Sequence, residues 1–118
     1  MADAGLFVGW GNTTRGREQT AVRVFNEAVA YFGGLQQQGE IEGFEAVFLE
    51  PHGGDLGGFF LVRGEREKIA RIRASDEMNL LNLRANQIVE SYGVVGAWLG
   101  DAIPGQMELF EAQIADLT

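Results

Sequence analysis

The sequence predicts an α+β domain: one four-stranded antiparallel sheet with helices against one face and an extra helix at the C-terminus. Three observations carry this. Apolar residues recur at three- and four-residue spacing over long stretches, the period of a one-sided helix. Short apolar runs bounded by glycine or proline separate those stretches, as strands do. A glycine-rich connection, Gly53-Gly54-Asp55-Leu56-Gly57, joins the second and third runs as a hairpin. At 118 residues the chain suits one domain spanning 1–118, a size that buries roughly two-thirds of the unfolded surface.

Leu6-Phe7-Val8-Gly9-Trp10 reads as the first strand, followed by the turn-prone Gly11-Asn12-Thr13-Thr14, where Thr13 or Thr14 is placed to cap a helix. From about Gly16 to Gln38 the stripe Ala21, Val22, Phe25, Ala28, Val29, Phe32 and Leu35 predicts an amphipathic helix, weakened by Gly33-Gly34 and stopped at Gly39. Phe44 to Leu49 alternates as a second strand that Pro51 ends, and Gly58 to Arg63 is the third. Ile69 and Ile72 mark a short helical piece. Ser75 before Asp76-Glu77 is a fresh N-cap with acids in the first turn, opening a helix with Met78, Leu81, Ala85, Ile88 and Val89 on its stripe. Val94 to Leu99 is the fourth strand, and Met107, Phe110, Ile114 and Leu117 mark a final helix after Pro104-Gly105.

Strand, helix, strand, strand, helix, strand is the ferredoxin-like plan, with two right-handed crossovers linked by a hairpin. In such a sheet one strand parity should be polar where it meets water. Here Phe59/Leu61 and Phe60/Val62 are both apolar, as are Val94/Trp98 and Val95/Leu99. Something covers the second face, and the economical cover is another copy of the chain, packed sheet to sheet as a homodimer.

Totals narrow the function classes. Nine basic against seventeen acidic residues leave a formal charge of −8, which repels nucleic-acid backbones. The basic residues fall between Arg15 and Arg23 and between Arg63 and Arg84, so an anion site must draw on those zones. With no cysteine there is no disulfide framework, thiolate nucleophile or zinc-thiolate site. Leu6-Phe7-Val8 is too short for a signal or membrane segment, and the expected location is cytoplasmic. No motif implies a cofactor or metal. Gly9-x-Gly11-x-x-Thr14 lacks the third glycine of a dinucleotide cradle, Gly58 to Val62 lacks the alternating aromatics that stack RNA bases, and Asn12-Thr13-Thr14 has no secretory signal to make it a glycosylation site.

Phe44 to Pro51 with Gly53-Gly54-Asp55-Leu56-Gly57-Gly58-Phe59-Phe60-Leu61-Val62-Arg63-Gly64, then Arg73-Ala74-Ser75-Asp76-Glu77 and Tyr92-Gly93-Val94-Val95, resembles an uncharacterised family within the dimeric α+β barrel superfamily, in which two ferredoxin-like subunits pack sheet on sheet. The resemblance implies a homodimer and leaves activity open, because members of that superfamily include oxygenases, isomerases, haem-handling proteins and ligand-binding regulatory domains. Members that oxidise aromatic polyketides or degrade haem depend on placed Asn, Trp or His side chains. Trp10 and Asn12 lie near the first strand here, whereas no His sits on either long helix, which counts against haem degradation.

The leading expectation is a dimer that binds a small, mostly apolar or aromatic molecule, between sheet and helices or at the dimer barrel, lined by Trp10, Phe59, Leu61, Arg63 and Trp98. Arg63 can hold an anionic ligand over an apolar pocket; as a plain strand end it pairs with Glu50 or Glu65. Trp10 and Trp98, on neighbouring strands, can take a flat ligand with Tyr31 or Tyr92 as a polar edge; the plainer reading is core or interface packing. The alternative is a cofactor-independent monooxygenase or isomerase for an aromatic or quinone-like substrate, with Trp10, Asn12 and Arg63 polarising it and His52 or Tyr92 moving the proton. His52, the one imidazole, has Glu50 and Asp55 close in sequence and could form a metal or acid/base site with them; the plainer reading, a turn residue without chemistry, is the favoured one. A third reading is a bare structural interaction dimer.

Overall fold

The computed structural model describes residues 2–118. Its elements are β1 (Ala4–Trp10), α1 (Glu18–Gln37), β2 (Gly43–Phe48), β3 (Gly58–Gly64), α2 (Arg66–Arg73), α3 (Asp76–Asn86), β4 (Gly93–Trp98) and α4 (Ala102–Leu117). The strands form one antiparallel sheet in the order β2-β3-β1-β4. The two central strands are thus joined through crossovers rather than to each other directly, as the ferredoxin-like plan requires.

Local signals account for most boundaries. Gly39, at φ +75°, ends α1: its N–H bonds the Gln36 carbonyl and the Glu40 N–H bonds the Leu35 carbonyl, the paired bonds of a Schellman stop. The Ser75 hydroxyl accepts from the Met78 N–H at 3.2 Å and opens α3. The N-terminus of α1 differs from expectation. It starts at Glu18 after Arg17, with no side-chain cap, because Thr13 is drawn away to bridge Val89. The last helix starts before Pro104 rather than after it. Pro104 lies in the first turn of α4, where a backbone N–H has no helical partner to lose.

Parity divides the sheet into two apolar faces. Leu6, Val8, Phe60 and Val62 point to the helices and are buried with Val24, Phe32, Ile69, Ile72, Met78 and Leu81. Register puts Phe7, Phe59, Leu61 and Val95 on the opposite face. On it Phe7 and Phe59 stack at 4.9 Å, and Phe7 lies over Gly9, where a Cβ would stand 2.6 Å from the ring. Its rim carries the Arg63–Glu45 ion pair at 2.8 Å.

α4 buries none of its residues, and the chain reaches 52 Å along its long axis. Its radius of gyration is 16.2 Å, against about 13.5 Å for a compact domain of this length. Among the described residues no helix is long and apolar enough to cross a membrane.

Phe32 is fully buried, whereas Leu83 on the outside of α3 is 57% exposed. Phe32→Ala should therefore cost about 3–5 kcal/mol in urea unfolding at fixed protein concentration, and Leu83→Ala within about 0.5 kcal/mol.

Candidate functional site

The helix layer does not fill the space above its sheet face. Between α1, α3 and the ends of β1 and β3 lies a cavity of about 550 Å³, within the ~300–1,000 Å³ range of small-molecule sites. Each element contributes for a local reason. Phe25 comes from the buried stripe of α1, Phe60 from the inward parity of β3, and Trp10 from the last residue of β1.

Their rings form a box. The Trp10 indole is 5.4 Å from Phe60 and edge-on to Phe25 and Phe48 at 6.2 Å each, while Phe25 stacks on Phe60 at 5.2 Å. The indole can lie this low because its cross-strand neighbour is Gly58, where a Cβ would stand 2.8 Å from the ring. Phe48 is 69% exposed, so this wall of the cavity meets solvent.

Polar groups gather elsewhere on the lining. The Tyr92 hydroxyl donates to Asn82 Oδ1 at 2.7 Å. Burial pushes the Tyr92 phenol up from 10.0 to about 12, so it stays protonated at neutral pH. It is a neutral group with hydroxyl lone pairs left to accept from a ligand. Ser91, at φ +56°, makes the turn that delivers Tyr92, a conformation that costs a non-glycine residue roughly 1–2 kcal/mol. Thr13, Glu18 and Asn26 complete the polar lining.

The residues singled out from the sequence do not share this site. Trp10 and Tyr92 line the cavity. Asn12 is exposed and offers its backbone carbonyl to the Glu90 N–H at 2.8 Å. Phe59, Leu61 and Arg63 lie on the opposite sheet face, because they have the other parity from Phe60 and Val62. Arg63 pairs with Glu45 across the β2–β3 ladder rather than with Glu50 or Glu65. Trp10 and Trp98 do not meet within one chain: β1 and β4 run antiparallel, so Trp98 pairs with Ala4 at the far end of β1. Trp98 lines a second cleft of about 630 Å³ between α2 and β4.

His52 holds its own loop. Nδ1 accepts from the Gly54 N–H at 3.2 Å, which leaves Nε2 to donate to the Leu56 carbonyl at 2.7 Å. Among the described residues no group of three His, Asp or Glu side chains stands close enough to hold a metal ion.

Sequence reasoning missed Glu18, Phe25, Phe48, Phe60 and Asn82 as site residues. Phe25 and Phe60 carried the periodicity of core residues, and nothing in that pattern distinguishes a cavity wall from a filled core. Asn82 stands ten positions before Tyr92 and is joined to it only by the turn at Ser91.

No protein-family model and no curated protein matches the sequence. Solved structures do match the backbone. A dimeric protein of unknown function and ferredoxin-like fold from Bacteroides fragilis NCTC 9343 superposes with a TM-score of 0.56 at 11% identity, covering 81% of this chain and 96% of its own. The fold is ferredoxin-like α+β. A second likeness is to SnoaB, a cofactor-independent oxygenase from Streptomyces nogalater, with a TM-score of 0.52 at 15% identity over 87% of this chain and 99% of that one. At such identities the ferredoxin-like likeness is one of fold alone.

Tyr92 sets the sign of one pH effect. Between pH 10 and about 12 the native chain keeps a phenolic proton that the unfolded chain has lost, so stability falls as pH rises through that window. In Tyr92→Phe that part of the decline should vanish, and an ultraviolet absorbance titration should lose the tyrosinate transition near pH 12.

Proposed function

We propose that the protein is a homodimer, packed sheet to sheet, that binds a small, flat, mostly apolar molecule in the helix-side cavity of each subunit. The observation that carries the binding reading is the aromatic box of Trp10, Phe25, Phe48 and Phe60 beside the Tyr92–Asn82 pair. Aromatic walls favour a planar ligand through stacked and edge-on contacts, and the hydroxyl–amide pair gives one end a hydrogen-bonding preference. Dimerisation is supported by the apolar face around Phe7 and Phe59, and by the dimeric state of the Bacteroides fragilis neighbour. Apolar centre and charged rim, with Arg63 and Glu45 at the edge, is the usual layout of a protein interface.

A second reading, cofactor-independent oxygenation of an aromatic or quinone-like substrate, draws on Glu18 and Tyr92 lining the same apolar cavity and on the likeness to SnoaB. Glu18 would take a substrate hydroxyl proton and Tyr92 would hold the substrate oxygen. The substrate's own enolate would supply the electrons: its ring carbon would bond dioxygen to give a hydroperoxide, and O–O cleavage with loss of that carbon's hydrogen would release water and leave a carbonyl oxygen on the ring. Oxygen uptake with 1,4-dihydroxynaphthalene would then exceed autoxidation and drop about 10²-fold or more in Glu18→Gln; uptake at the autoxidation rate removes this reading.

The binding reading is tested with 2-hydroxynaphthoquinone and the protein's own fluorescence. In Trp98→Phe the indole of Trp10 is the sole tryptophan reporter. Its emission should be quenched saturably, with a Kd on the order of 10 µM for a ligand of this size. Ala21→Phe, which fills the lining on α1, should weaken the quenching about tenfold while the melting transition stays cooperative. Quenching that is unsaturable, or indifferent to Ala21→Phe, contradicts the reading.

A further inference from the structure

α4 is built like an interface helix, yet none of its residues is buried. Ile103, Met107, Phe110, Ile114 and Leu117 follow one another at four- and three-residue steps, which sets them on a single stripe about 80° wide. All five are between 46% and 82% exposed. Of its three acids Glu108 and Glu111 lie to one side of that stripe and Asp116 far round the other, and the helix carries no basic residue.

A matching surface exists elsewhere on the chain. The cleft between α2 and β4 has an apolar floor of Leu6, Ile69, Ala70 and Trp98, with Arg66 and Arg73 at the two ends of α2. Trp98 is 50% exposed there. Among the described residues Arg66 makes no ion pair, and Arg73 reaches only the Val94 carbonyl at 3.3 Å. The cleft is apolar with a basic border, and α4 is apolar with an acidic one.

The two surfaces do not meet within one chain. The Ala102 N–H bonds the Leu99 carbonyl and the Ile103 N–H bonds the Gly100 carbonyl, with Gly100 at φ +50°. This tight turn sends α4 away from its own sheet. We infer that α4 is an exchanged arm: its apolar stripe lies in the α2–β4 cleft of a second copy of this chain.

The inference rests on the homodimer reading and deepens it. Four strands about 4.8 Å apart with about 20 Å of paired length offer a footprint of about 400 Å², whereas a standard interface buries about 800 Å² per partner. Two reciprocal arms supply the remaining contact and at the same time cover Trp98.

The chain has no cysteine, so introduced thiols report on themselves alone. Full-length Phe110→Cys and Ala70→Cys chains are co-expressed and oxidised mildly. A covalent dimer should form in the mixture and not with either variant alone. A chain carrying both substitutions that closes on itself without forming covalent dimers would show fold-back and overturn the inference. As an independent check, Met107→Glu with Phe110→Glu should weaken the dimer about tenfold or more in sedimentation equilibrium. An unchanged dimer affinity overturns the arm and leaves the sheet-to-sheet reading intact, whereas an unmodified protein that sediments as a single chain overturns both.

Discussion

The central strands β1 and β3 are apolar on both faces, and this constraint governs how the rest of the molecule is arranged. Water can border one face of an antiparallel sheet only if that face is polar. Leu6, Val8, Phe60 and Val62 meet the helices, while Phe7, Phe59 and Leu61 face away from them. The helix crossovers settle the first set. The second is left as an apolar surface whose exposure to water is unfavourable by about 25 cal/mol for each Å² of apolar area, and the proposed second copy would relieve that penalty on both partners at once.

On the helix side the same sheet is covered incompletely, and both clefts follow from where the helices do not reach. α1 and α3 leave the aromatic-walled cavity over the Trp10 end of the sheet, and α2 leaves β4 bare at the Trp98 end. Antiparallel pairing of β1 with β4 separates these two places along the strands. The cavity holds the chemistry available, a neutral phenol hydrogen-bonded to an amide and a single carboxylate on an apolar lining. Such a set suits recognition of a planar molecule with one polar edge.

Most of the fold was legible in the sequence because its signals are local. The Ser75 cap, the Gly39 stop and the alternation in β2 each depend on a few adjacent residues, and each is where expected; the α1 stripe is only partly so, since Ala28 and Phe32 are buried but Val24 takes the inward place expected of Val22 and Val29, which are exposed. The start of α1 was not legible, since Thr13 is held by Val89, a partner distant in sequence. Which candidate residues stand together was not legible for a related reason. Period-two parity says that Phe59 and Phe60 point oppositely, but only the packed helices show which of them faces the cavity. Neighbouring strands suggested that Trp10 and Trp98 meet, although antiparallel register sets them at opposite ends. The candidacy of Arg63 as an anion site met a cross-strand carboxylate, Glu45, that lies eighteen positions away.

The central claim, that a second copy covers the outer sheet face, is tested most directly by small-angle X-ray scattering of the unmodified protein at micromolar concentration. Forward scattering should give a mass of twice 12.9 kDa. A mass of 12.9 kDa with a radius of gyration near 16.2 Å would be that of the single extended chain and would contradict the account.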